Sequence, residues 1–232
     1  MLRKMLPPVE ALLVVLGVGL SGSVSAWADD QTRGPTSPAP RPVAEVAALV
    51  GKATVTRGVG TTPIPLALGD ALYERDLIKT AEDSKAKIRF AEDSVATLGP
   101  LGTLVLVVTR VRSADEQRQV TLSMTIGVMR AVVGLLGSQD TFILRTPTAQ
   151  CTVRGTEFGA ILKPDSAGFF VKQGKVVVTN RDPEVQGEVI LTDAEGTDVG
   201  MGQPPTNPKK WGAARVNALL EATTIPETPG PR

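Results

Sequence analysis

Apolar and polar residues alternate with a period of two from Val46 onward. In "VGKATVTRG", Gly51, Ala53, Val55 and Arg57 fall on one side, and Val50, Lys52, Thr54 and Thr56 on the other. Runs of the same kind follow at short intervals: "ALYERDLIKT", "AKIRFAED", "SVATLG", "TLVLVVTRV", "QVTLSMTIGV", "RAVVGL" and "DTFILRTP". Each lies between clusters of Gly, Pro, Asp or Ser. Short strands separated by turns predict an all-β domain, not alternating helices and strands. The strands would be short and antiparallel-rich, forming a sandwich, a barrel or a solenoid-like roll. In "SKAKIRFAEDS", Ala86, Ile88 and Phe90 form the inward face while Lys85, Lys87 and Arg89 point to solvent. This is a half-buried strand, not a basic patch.

The pattern is different at both ends. "MLRKM" is a short basic start, Ala11 to Leu20 is an apolar run, and Ala26 and Ala28 form an Ala-x-Ala cleavage site, although Glu10 directly precedes the run. Residues 1–28 therefore read as a secretory signal peptide, and the apolar run is too short to span a bilayer. No cysteine stands at the cleavage site to carry a lipid. Residues 29–45, rich in Pro, Ser and Thr, bury too little to offset the entropy of ordering and read as a flexible linker. The β-domain is expected over residues 46–200. Residues 201–232 should hold a short amphipathic helix starting near Pro208, with Ala213, Val216, Leu219 and Leu220 on one face and Trp211 pointing away from it, followed by a loose tail. That helix is expected to dock on the β-domain; docking on a partner is the alternative.

Composition narrows the functional classes. The 232 residues contain no histidine, which removes the commonest general base and the commonest metal ligand together. With two Trp, one Tyr and five Phe, branched aliphatics must fill the core. The net charge is +1, and residues 1–28 carry Arg3, Lys4 and Glu10, so the exported chain is neutral. Such a balance gives no electrostatic case for binding nucleic acid. The basic pairs Lys209–Lys210 and Arg110 with Arg112 read as solvated faces. The acidic pairs Glu82–Asp83 and Glu92–Asp93 each precede a serine and resemble hairpin loops more than a paired acid and base.

The stretch "TPTAQCTVRGTEFGAIL", Thr146 to Leu162, contains the single cysteine. Ala149, Cys151 and Val153 share one face. Past Gly155 the apolar set is Phe158, Ala160 and Leu162, one step out of phase. A bend or bulge at Gly155 restores the register. Cys151 is then an inert core thiol, since no histidine activates it and Arg154 faces the other way. Arg154 and Glu157 are either a structural pair pinning the bend or a recognition pair for an anion or a partner strand. The candidate motif for partner binding is Arg154, Gly155, Thr156, Glu157 and Phe158. No catalytic residue, cofactor site or metal site is indicated.

"VRGTEFGA", preceded by "TPTAQCT" and followed by "GFFVKQGKVVVTN", resembles the signature of the FecR-type periplasmic domain family. The upstream "LGDALYERDLIKTAEDSKAKIRFAEDSVATLGPLGTL", with Thr80 ahead of its polar turn, and the downstream "VILTDAEGTDV" occur in the matching order, so the resemblance covers roughly Val46 to Val199. It implies a non-catalytic, periplasmic or secreted all-β module that reads a signal by binding another envelope protein. The best understood members carry a cytoplasmic anti-sigma segment and a spanning helix. This chain has a cleavable signal instead, so what carries over is the extracytoplasmic module alone. Strand addition to a sheet edge is the expected binding mode, with an unidentified envelope protein as partner. The alternative is a structural or cell-surface component of the envelope with no signalling role.

Overall fold

The computed structural model describes residues 41–58, 60–90, 94–110, 118–134 and 141–226, without the side chains of 108–110 and 118. The expected signal peptide, nearly all of the linker, Glu92–Asp93, Arg112 and the end of the tail lie outside the described residues.

The first half of the domain supplies β1 (Ala44–Val50), β2 (Ala53–Thr56), β3 (Ile64–Pro65), β4 (Ala71–Leu72), β5 (Leu77–Thr80), β6 (Lys85–Phe90), β7 (Val95–Leu98) and β8 (Thr103–Arg110). The long β9 (Arg118–Val132) follows. Then come β10 (Thr141–Arg145), β11 (Ala149–Val153), β12 (Glu157–Lys163), β13 (Ser166–Gln173), β14 (Val176–Asn180), β15 (Glu188–Leu191), β16 (Glu195–Gly200) and β17 (Lys209–Lys210). The only helix among the described residues, α1 (Ala213–Thr223), closes the chain. The all-β reading with a short C-terminal helix is thus the observed fold. Among the described residues, all pairings are antiparallel except that of β9 with β10.

The strands form two layers. Sheet I has the order β4-β1-β6-β7-β9-β12-β13-β16-β17. Sheet II has the order β3-β2-β5-β8-β9-β10-β11-β14-β15. Of the alternatives open to the sequence, the arrangement is an unclosed sandwich. Strand β9 belongs to both layers: up to Ile126 it pairs with β8, and from Gly127 it pairs with β12. The alternation had suggested two runs here, "QVTLSMTIGV" and "RAVVGL". Up to Val132 they are one strand, which changes layer at Gly127. Gly127 has φ +108°, and a Cβ on it would stand 2.6 Å from the Cα of Gly102. Only glycine permits both the backbone angle and the close approach.

The core lies between the layers. It includes the inward residues the alternation identified, Ala86, Ile88 and Phe90, together with Ala53, Val55, Leu104, Leu122, Met124 and Met129. Phe142 meets Phe90 and Phe158 edge-to-face, with ring centroids 6.3 and 6.2 Å apart. Full burial of each large aliphatic or aromatic side chain stabilises the fold by roughly 1.5–3 kcal/mol.

Candidate interaction site

The central motif sits where the chain leaves sheet II through β11 and enters sheet I through β12. Gly155 has φ +57°, so the expected bend is there, and it changes layer as well as register. Thr156, almost fully buried, holds the corner: its hydroxyl donates to the carbonyls of Arg154 and Lys175, both at 2.9 Å, and accepts from the Lys175 amide at 3.2 Å. Phe158 is 1% exposed and belongs to the core. Of the five motif residues, Arg154 and Gly155 are exposed and Glu157 is half-buried.

Arg154 and Glu157 do not pair with each other. Glu157 Oε1 is instead met by Arg130 of β9, with Nε at 2.8 Å and Nη2 at 2.5 Å, and by Lys172 of β13 at 3.0 Å. The corner separates the two residues, sending Arg154 to the sheet II side and placing Glu157 on the outer face of sheet I between two basic strand neighbours. Burial alone would raise the Glu157 pKa, but hydrogen bonds from Lys172 and Arg130, together with their charges, outweigh it and hold the carboxyl below its usual range. Arg130 and Lys172 escaped the sequence reading. The available signal was a lone cation in each apolar run, "MRAV" and "FFVKQ", on the strands flanking β12.

Cys151 is fully buried, and burial pushes its thiol well above the usual range, where it stays protonated. Glu82 and Asp83 lie in the turn between β5 and β6, with Asp83 at φ +53°. Next to that turn, buried Thr80 donates to the Gly99 carbonyl at 2.6 Å and accepts from the Gly102 amide at 2.9 Å, so it serves the scaffold.

Helix α1 covers one half of the outer face of sheet I. The expected start at Pro208 is corrected: Lys209 and Lys210 form β17 against β16, and the helix begins at Ala213 after Gly212. Ala213 is exposed, while Val216, Leu219 and Leu220 face the sheet. Trp211 is also placed differently from the expectation, for it precedes the helix and is buried instead of pointing away. Its ring stacks on Phe170 at 5.4 Å, and the Arg215 guanidinium lies 3.4 Å from the indole centroid while bonding Asp198 at 3.0 and 2.5 Å. Small residues on the sheet permit this contact: a Cβ on Gly159 would stand 2.5 Å from Leu219 Cδ1. At the far end, Lys85 Nζ donates to the carbonyls of Glu221 at 2.6 Å and Thr224 at 2.9 Å, which places a cation at the helix C-terminus.

The other half of that face is open. In the cross-strand register, Lys87, Thr97 and Arg130 form one row, and Arg89, Val95, Val132 and Glu157 the next. Lys87, Val95, Thr97, Arg130 and Val132 line a half-open concavity of about 270 Å³. Among the described residues, no group of three or more His, Cys, Asp or Glu is placed to hold a metal ion, and no helix is long and apolar enough to cross a membrane.

Residues 76–177, from just before β5 into β14, match the family model described as FecR protein. The matched region contains the corner, Glu157 and both of its basic neighbours. No curated protein matches the chain. Two solved structures of a candidate anti-sigma factor from Parabacteroides distasonis are similar to it, each at 20% identity over 62% of this chain. They have TM-scores of 0.49 and 0.50, and the matches cover 64% and 63% of the solved chains, less than two thirds of their length. At that identity the likeness to the structure with a TM-score of 0.50 is one of fold.

Proposed function

We propose that the protein is a non-catalytic extracytoplasmic module that binds another envelope protein in a signalling or adaptor role. The FecR-like region at residues 76–177 carries this reading, since it spans the strands that build the corner and the Glu157 cluster. In this proposal residues 1–28 export the chain, the linker of residues 29–45 tethers it as far as the first two residues of β1, 46–200 form the rest of the binding module, and 201–232 supply the helix that covers half of sheet I. The protein then works in the periplasm or outside the cell. Arg154 is the exposed recognition residue of the motif, Glu157 answers to Arg130 and Lys172, and Gly155, Thr156 and Phe158 set the geometry. Strand addition is favoured at β15. Sheet ends β3, β4 and β17 are two residues long, with Pro65 in one and two lysines in another, whereas β15 has four residues and no proline.

One observation favours a second reading, that of a structural envelope component. Thr156 and Phe158 are buried and Glu157 is engaged within the chain, as in a scaffold. An affinity capture of the protein from periplasmic and membrane extracts, beside the double variant Arg154→Ala/Glu157→Ala, separates the two. Loss of one defined partner by the variant supports the binding module. Equal capture of the same envelope material by both proteins supports the structural component.

A further inference from the structure

The open half of sheet I has unmatched binding capacity of one chemical kind. Its cations are Lys87, Arg89, Arg130 and Lys172, and its carboxylates are Glu45 and Glu157. Arg89 engages Glu45, while Arg130 and Lys172 engage Glu157. Among the described residues, Lys87 has no carboxylate partner and the Thr97 hydroxyl no hydrogen-bond partner. Both stand in one cross-strand row with Arg130, whose second terminal nitrogen is not used by Glu157. The row is therefore a line of donors with surplus positive charge at the floor of a concavity.

The apolar part of this surface specifies the ligand further. Val95 and Val132 oppose each other in the adjacent row, two residues along β7 and β9 from Thr97 and Arg130, and Val132 is 42% exposed. Side chains two apart on an extended chain project to the same side at roughly 6.5–7 Å spacing. An extended segment laid along β9 with a carboxylate over the donor row thus places its next same-side residue over the two valines. Helix α1 bounds the surface on one flank through Leu220, beside Lys172.

We propose that this surface docks an acidic, aliphatic segment of the envelope partner, with its carboxylate on Lys87, Thr97 and Arg130 and an aliphatic side chain on Val95 and Val132. The inference rests on the binding-module reading above and gives it a second contact surface, apart from the Arg154 corner. The test is a methyl NMR titration of valine-labelled protein, purified from the envelope of expressing cells. The probe is an acetylated, amidated peptide of alternating glutamate and valine, and the control has lysine for glutamate. The expected result is saturable shifts at the Val95 and Val132 methyls with the acidic probe alone. Affinity should fall at least about tenfold in Lys87→Glu and about threefold in Thr97→Val, with the remaining valine signals unchanged. Equal binding of the lysine peptide, shifts confined to other valines, or no response to Lys87→Glu overturns the proposal. In the affinity capture, a defined partner retained by Lys87→Glu overturns this surface and leaves the binding module standing. Probe binding at the valines with no partner captured supports the surface and counts against the module.

Discussion

The two halves of the outer face of sheet I differ in what covers them. On one half, Gly159, Gly168 and Gly196 keep the sheet low, and Phe170, Trp211 and Leu219 fill the space under α1. On the other, Lys87, Val95, Thr97, Arg130 and Val132 of β6, β7 and β9 line a concavity, with Thr97 6% exposed at its floor. Removing surface from water dominates the first half, where burial is nearly complete. In the second, charge and unused donors dominate, and they contribute little to folding while water still reaches them. Stability and binding should therefore separate when the two halves are altered one at a time.

The largest effect is expected at the covered half. Leu219→Ala removes the main apolar anchor of α1, 1% exposed, and should destabilise the docked helix by about 2 to 5 kcal/mol. In a urea titration, Trp211 emission should shift to the red before the β-signal is lost. Coincident transitions in the variant and the parent would mean that the helix does not depend on this contact. Gly196→Val attacks the same half from below, because a side chain there meets the Trp211 indole and stands about 2.7 Å from the Phe169 carbonyl oxygen at its Cβ. Overpacking of this kind costs about 1 to 3 kcal/mol, read from the same titration.

Next is the corner that leads into the open half. Gly155→Val forces a β-branched residue to φ +57° and should cost about 1 to 3 kcal/mol. Cys151→Ala removes only the sulfur of a core residue, and Arg154→Ala changes an exposed side chain; both should cost less in a denaturant melt. A mildest effect at Gly155 would sink the assignment of the bend.

Glu157 adds a pH dependence whose sign follows from its lowered pKa. The folded state holds the ionised carboxylate more strongly than the unfolded chain does. The stabilisation is complete above the ordinary glutamate value of 4.5 and is lost as pH falls through the lower folded value. Glu157→Gln should therefore flatten the fall of Tm below about pH 4.5, with a loss of about 1 kcal/mol at neutral pH. An unchanged acid slope would show that Arg130 and Lys172 do not hold the carboxylate. The smallest effect belongs to Lys87→Glu, which should alter stability by no more than about 0.5 kcal/mol while abolishing the acidic probe's preference for the open half.

Much of the fold was legible in the sequence because strand alternation is a local property. The inward set Ala86, Ile88 and Phe90 could be read from the chain and lies in the core, as does Cys151. The phase slip at Gly155 likewise identified a residue at positive φ. Other features were not legible because they depend on neighbours distant in sequence. Arg154 and Glu157, with two residues between them, looked like a pair, yet the corner parts them, and Glu157 finds Arg130 and Lys172 on adjacent strands. Trp211 looked like an outward anchor because helical periodicity had been extended back to Pro208. The short β17 interrupts that periodicity and turns the indole onto Phe170.

By itself the sequence determined the all-β class, the inward faces of the strands and the absence of any histidine chemistry, since period and composition need no partner to be read. Only the tertiary structure decided how the strands divide between two layers, that β9 serves both, which cations hold Glu157, and which half of sheet I stays open. Those outcomes depend on cross-strand register and on the space that glycines leave for a helix from the far end of the chain, and neither is encoded in any one local stretch.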